Sequence, residues 1–350
     1  MNKKIKKGSI AGMLLLFIFS ATSYAQKIDN AGDYLTFIGK EFKQISEEMW
    51  DYTSAAAHGK SARTVENKRK EIVNQLTKSI GKISHLPGFK GDETYRDSVV
   101  SYLKLSKLVM NEDYAKIVDM EEIAEQSYDA MEAYMLAKEK ADDKMEAANA
   151  MLDTEEHKFA AKNNVNLIEG DDKISKKLAE ATKVYKYYNG IYLIFFKSFK
   201  QELYVLDAQN KGDFNAMEQN RNALTTTVAD GKTKLNAVQA YKGDASVKAA
   251  CLDMLNFYEK EVAKFKDISA FFIQKEKFEK IKASFDAKKP ADRTKADVDQ
   301  FNAAVNEYNS ASNKYNATNQ ELNQNRSKLL EKWNGASDKL IDRFVPKKKK

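Results

Sequence analysis

The side chains able to do chemistry are few and scattered. His58, His85 and His157 are the only histidines, and Cys251 is the only cysteine. A zinc site needs clustered Cys and His. A di-iron bundle needs Glu-x-x-His on inward helix faces, and none of the three histidines has a Glu three residues before it. Asp142-Asp143 and Asp171-Asp172 are acid pairs that could attract calcium, but the ligand spacing of an EF-hand loop is missing. The chain has no Gly-x-Ser-x-Gly elbow, no Ser-x-x-Lys accompanied by its partner boxes, and no Gly-rich loop to cradle phosphate. Paired carboxylates do glycoside chemistry, yet with 51 acids in the chain the sequence singles out no pair. The expectation is a non-enzyme with no catalytic residue, no metal and no cofactor. Cys251, flanked by Val247, Leu252 and Leu255, reads as a small buried apolar residue. His157, between Glu156 and Lys158, reads as part of a solvated helix face.

Three stretches could bind rather than react. Tyr185-Lys186-Tyr187-Tyr188-Asn189-Gly190-Ile191-Tyr192-Leu193-Ile194-Phe195-Phe196 is dense in rings. Tyr185, Tyr188, Tyr192, Phe195 and Phe196 are candidates to line a groove for a sugar, lipid or peptide. The competing reading is a helix covered on nearly all sides, since large aromatics dominate cores. Asn302, Asn306, Asn309, Asn313 and Asn316 form a stripe beside the apolar residues Phe301 and Val305. The stripe can be a polar seam between helices, a glycan contact or a solvated flank. Lys347 to Lys350, after Pro346, form a basic tail from 345 to 350 that could touch anionic lipid or envelope polymer, each Lys contributing on the order of 1 kcal/mol near an anionic surface.

The first 25 residues predict export. Lys3, Lys4, Lys6 and Lys7 precede a short apolar run from Ile10 to Phe19, and Ser23-Tyr24-Ala25 supplies a cleavage site after Ala25. The run is short for a permanent span, which needs about 20 residues. An uncleaved anchor is the alternative. No Cys follows the run, so a lipid-modified N-terminus is not available.

Charge follows from this. The chain has 58 basic and 51 acidic residues, a net +7. Four of the lysines precede Ala25, which leaves +3, and four more end the chain, without which the body carries −1. The basic character therefore lies at the two ends, and a nucleic-acid partner, which needs a basic face on the folded domain, is not expected.

The elements that must position these residues read as helices. Apolar residues recur at spacings of three and four: Tyr34, Ile38, Phe42, Ile45, Met49 and Tyr52; Ile72, Leu76, Ile80 and Ile83; Met120, Ile123, Met131, Met135, Met145 and Leu152; Phe301, Val305, Tyr308 and Tyr315. Each stripe needs a partner helix to be stable in water. The spacing predicts helices near 30–57, 61–86, 93–112 and 114–163, then 172–209, 214–240, 245–262 and 265–342, the last interrupted near Lys289-Pro290. The fourth would be about 75 Å long at 1.5 Å per residue. Asn163-Asn164 and Gly170-Asp171-Asp172 provide the break before the second half.

The two halves resemble each other. Glu41-Phe42-Lys43-Gln44 resembles Ser198-Phe199-Lys200-Gln201. Glu66 and Arg69 match Glu218 and Arg221. Phe89-Lys90-Gly91-Asp92 matches Tyr241-Lys242-Gly243-Asp244, and Lys158-Phe159-Ala160-Ala161 resembles Lys314-Tyr315-Asn316-Ala317. Asp92 and Asp244 read as N-caps, each after a Gly. The expected fold is all-α: two tandem, duplicated antiparallel helical bundles, 26–165 and 166–344, joined by long helices.

With a leader peptide, two tandem helical halves and no catalytic motif, the chain resembles exported all-helical surface proteins of spirochaetes and other double-membrane bacteria. That resemblance implies a periplasmic or surface location and supplies no site residues. The function expected is a non-catalytic binding or structural protein of the envelope or cell surface, whose partner is an envelope component. Its alternatives are a periplasmic carrier of a lipid or other hydrophobic ligand, working through the ring-dense block, and a carboxylate-dependent envelope hydrolase.

Overall fold

A computed structural model describes residues 28–117, 124–168 and 172–347. The leader peptide, Met120, Ile123, the Gly170-Asp171 break and Lys348 to Lys350 lie outside the described residues. The fold is all-α. The helices are α1 (Ala31–Ala57), α2 (Ala62–Ser84), α3 (Thr94–Leu108), α4 (Tyr128–Lys162), α5 (Lys173–Lys211), α6 (Phe214–Ala237), α7 (Ser246–Asp286) and α8 (Lys295–Phe344). Among the described residues no helix is long and apolar enough to cross a membrane.

Local chemistry sets the ends. Asn30, Ser61, Ser127, Asp172, Asp213 and Thr294 accept first-turn amide hydrogens on their side chains, and each so relieves an orphan donor. Thr294 and Asp297 close a reciprocal capping box. Asp92 and Asp244 stand one residue ahead of the cap position, yet their Oδ1 atoms still accept from Thr94 and Ser246 at 3.0 and 2.9 Å.

Two boundaries differ from the expected ones. The helix expected over 114–163 is broken at Glu125-Gln126, and a new helix starts on the Ser127 cap; ahead of it α3 passes through a π-helical turn (Val109–Asp113) into helical residues 114–117. Arg69 donates to the Met110 carbonyl there at 2.6 Å. In the second half, α7 runs unbroken through 263–264 to Asp286. No Gly or Pro interrupts that stretch, and the chain turns only at the 3-10 turn Pro290–Asp292.

Among the described residues two large apolar cores form, with a third, small cluster of Val109, Ile117 and Ala141. The first gathers Tyr34, Ile38, Ile72, Leu76, Val99 and Leu103 from α1 to α3, closed by Leu152 and Phe159 of α4. The second is built on α5 to α8 and also takes in Trp50 from α1 and Met131 from α4. Thus α1 and α4 each run from one core to the other. Their opposite ends are buried in different clusters, so the halves cannot separate without exposing both. His58, just past α1, closes the join: its Nε2 lies 2.8 Å from the Val345 carbonyl and its Nδ1 3.3 Å from Asp342.

The two aromatic-Lys-Gly-Asp turns have the same build. Lys90 and Gly91 have φ of 52° and 82°, and Lys242 and Gly243 have 48° and 83°. Positive φ at both central positions defines a type I′ turn. Phe89 packs edge-on to Tyr34 and Phe159, both at 5.5 Å; Tyr241 packs against Tyr187 at 5.4 Å and Phe344 at 5.0 Å. Asp92 meets Lys162, and Asp244 meets Arg343. By position the counterpart of Phe159 is therefore Phe344. Tyr315, which the sequence pairs with Phe159, lies instead against Phe271 at 4.3 Å.

The long α7/α8 hairpin continues past the second core. Gln209, near the end of α5, donates to the Tyr315 hydroxyl, and Phe214 at the start of α6 touches Phe272. Beyond these contacts the hairpin is held by a ladder of rings. Phe271, Phe278 and Phe285 recur every seven residues, as do Tyr315, Tyr308 and Phe301 in the opposite direction. They stack in pairs at 4.3, 4.9 and 4.4 Å.

Candidate functional site

The ring-dense block forms the middle of α5, which contacts α1, α4, α6, α7 and α8. Phe195 and Phe196 are buried in the second core. Phe195 stacks on Trp333 of α8 at 4.3 Å, and Tyr192 stacks on Phe196 at 5.5 Å. Tyr185 is half-buried under Lys138 of α4, whose ammonium stands 6.0 Å from its ring centre. Tyr188 and Tyr192, two of the five groove candidates, line a cavity. It lies between α4 and α5, holds about 160 Å³, and is completed by Ala124, Glu125, Met131, Tyr134 and Met135. Burial pushes the hydroxyls of Tyr185, Tyr188 and Tyr192 above the ordinary tyrosine value, so all three stay neutral donors at physiological pH.

The cavity offers two flexible thioethers, three rings and one carboxylate at the rim. Met adapts its shape and favours aromatic neighbours, so one apolar or aromatic group fits. Pockets that enclose a whole small ligand run to about 300–1,000 Å³, well above this one.

A second cluster escaped the sequence reading. Glu202 of α5 and Glu261 of α7 are fully buried, and Arg326 of α8 bridges them. Arg326 Nε donates to Glu202 Oε1 at 2.5 Å, and Nη2 donates to Glu261. Burial, and next the Glu202 carboxyl, push Glu261 above the ordinary Glu value. One guanidinium cannot balance two buried carboxylates, so holding a proton on Glu261 makes the trio neutral. The Tyr258 hydroxyl is buried beside the same carboxyls and is itself raised by burial. The cluster lines neither the cavity at Tyr188 and Tyr192 nor the one at Phe285, and its two ion pairs tie α5, α7 and α8 together. Its signal in the sequence is the row Ser198, Glu202, Val205 and Gln209, in which an acid occupies an inward helical position.

The remaining candidates resolve simply. Among the described residues no group of three or more His, Cys, Asp or Glu could hold a metal ion. Cys251 is wholly buried, and burial pushes its thiol up to about 12, which keeps it protonated and unreactive. His85 and His157 each bond the backbone carbonyl four residues earlier. The Asn stripe is exposed along its whole length, which excludes a polar seam between helices of this chain. No protein-family model, curated protein or solved structure matches the chain.

Proposed function

We propose that this is an exported, non-catalytic helical protein that binds or braces a component of the cell envelope or surface of a double-membrane bacterium. The observation that carries the reading is the α7/α8 hairpin. Past Phe272 and Tyr315 none of its rings joins the core, and of its apolar residues there Ala304 is the one that is buried. Phe278, Phe285, Phe301 and Tyr308 are half-buried, and Ile273 is 65% exposed. A protein that extends residues 273–286 of α7 and 295–314 of α8 past its core gains surface rather than a cleft. The matched type I′ turns and their ring partners favour descent of the two halves from one duplicated bundle. The cavity at Tyr188 and Tyr192 suits one side chain of a partner better than a lipid, so carriage of a hydrophobic ligand is the weaker reading.

Fractionation of the producing cells tests this directly. The chain is expected outside the inner membrane, beginning at Gln26. A cytoplasmic chain that retains Met1 would refute it.

A further inference from the structure

The projecting helix α8 has two unlike faces. Between Gln300 and Gln324 its only charged residues are Glu307, Lys314 and Glu321, spaced by seven. All three are turned to α7, where they meet Lys277 at 2.7 Å, Asp267 at 3.0 Å and Lys264 at 3.7 Å. The outer face carries Asn302, Asn306, Asn309, Asn313, Asn316 and Gln320, at alternating spacings of four and three. All six are exposed, and none shares a side-chain hydrogen bond with another described residue. Their neighbours Ala303, Ser310 and Ala317 are small, so the carboxamides stand clear. The row is about 27 Å long at 1.5 Å per residue.

Solvation alone does not call for this composition. Asn is a mediocre helix former, and α7 covers its own outer face with Lys275, Glu279 and Lys282. Each carboxamide presents two donor hydrogens and an acceptor oxygen, so the row matches a partner rich in neutral hydroxyl or amide groups. Anionic lipid or nucleic acid is matched by Lys and Arg, which the row lacks. A second copy of α8 laid on it would bury the carboxamides, and a buried Asn in a helical seam costs stability. A polysaccharide leaves them partly wet. Its register also agrees: the row repeats every seven residues, about 10.5 Å, close to the disaccharide repeat of an extended β-1,4-linked glycan.

We propose that the outer face of α8, from Asn302 to Gln320, binds an extended, uncharged β-1,4-linked polysaccharide lying along the helix. Successive disaccharides then meet equivalent carboxamides, with Asn302, Asn309 and Asn316 on one side of the row and Asn306, Asn313 and Gln320 on the other. This deepens the envelope-binding reading and rests on it for the origin of the glycan.

The test uses the full chain and a triple variant, Asn306→Ala, Asn313→Ala and Gln320→Ala. Ala is the better helix former, so the fold is kept, and circular dichroism verifies it. Both proteins are co-sedimented with insoluble chitin and cellulose, and a Lys275→Ala, Lys282→Ala variant of α7 serves as control. The wild type and the α7 control are expected to be retained on at least one polymer, with the triple variant at least tenfold weaker. No retention of the wild type, or equal retention of the triple variant, would overturn the proposal. So would a wild-type dimer that the triple variant converts to monomer, since the row would then be a homotypic seam. Retention is read on purified protein and does not depend on export. A chain retained on glycan but cytoplasmic in cells sinks only the envelope reading, and an exported chain without retention sinks only the glycan.

Discussion

Phe278 of α7 stacks on Tyr308 of α8 with ring centres 4.9 Å apart and planes 17° from parallel. This is the middle rung of the ladder that holds the projecting hairpin together. With Ala304 the sole buried apolar residue nearby, each rung matters locally and little to the rest of the molecule. Tyr308→Ala should therefore speed amide exchange from about Phe278 to Tyr308 and leave α1 to α3 protected as before. Equal loss of protection in α1 to α3 would show that the hairpin and the cores unfold as one unit.

Phe159 is the opposite case. It packs on Tyr34, Phe89 and Tyr95, with ring centres 4.9 to 5.5 Å away, and closes the first core from α4. Phe159→Ala should cost about 3–5 kcal/mol, the usual range for a buried ring lost to a cavity. Urea unfolding followed by intrinsic fluorescence measures it, and a cost under about 1 kcal/mol would mean that the core collapses to fill the space.

The buried carboxyl pair ties stability to pH. Glu261 has its folded value raised above the ordinary 4.5, first by burial and then by Glu202. The folded state therefore binds a proton more tightly than the unfolded chain, and stability must fall as pH rises from 4.5 through the raised value. The denaturation midpoint should be lower at pH 8.5 than at pH 5.5, and Glu261→Gln should flatten that dependence. An unchanged slope in the variant would place the titration elsewhere. Arg326→Met removes the shared partner and should destabilise by about 3–5 kcal/mol, as expected when buried charge is left uncompensated.

Lys90 and Lys242 hold left-handed backbone at φ of 52° and 48°. Asn tolerates that region better than Lys and is favoured in type I′ turns. Lys90→Asn should therefore raise the unfolding free energy slightly, while Gly91→Ala, forced to hold φ of 82°, should lower it by about 1–2 kcal/mol. The reverse order would mean that the Lys90 contact with the Phe89 ring, 5.3 Å away, outweighs the backbone term.

Much of the fold was legible because local chemistry decides it. The stripe through Tyr34, Ile38 and Ile45 announced α1, and Lys289-Pro290 announced the turn between α7 and α8. The ends missed were those that local signals do not set. The break before Ser127 has no Gly or Pro to mark it, and α7 runs on where the sequence offered no stop. At the candidate groove, a ring-dense block alone could not say which rings face a cavity. Tyr188 and Tyr192 do, because α4 passes over them, whereas Phe195 and Phe196 lie under Trp333.

The sequence by itself determined the helical class, the match between the two aromatic-Lys-Gly-Asp segments and the row of Asn residues, since periodicity, composition and spacing are properties of the chain read in order. Only the tertiary structure decided that α1 and α4 stitch two cores together, that Glu202 and Glu261 share Arg326, and that the Asn row faces water while Glu307, Lys314 and Glu321 face α7. These depend on which face of each helix finds a partner. That choice rests on contacts between residues far apart in the chain, where burial of rings and pairing of charges outweigh any local preference.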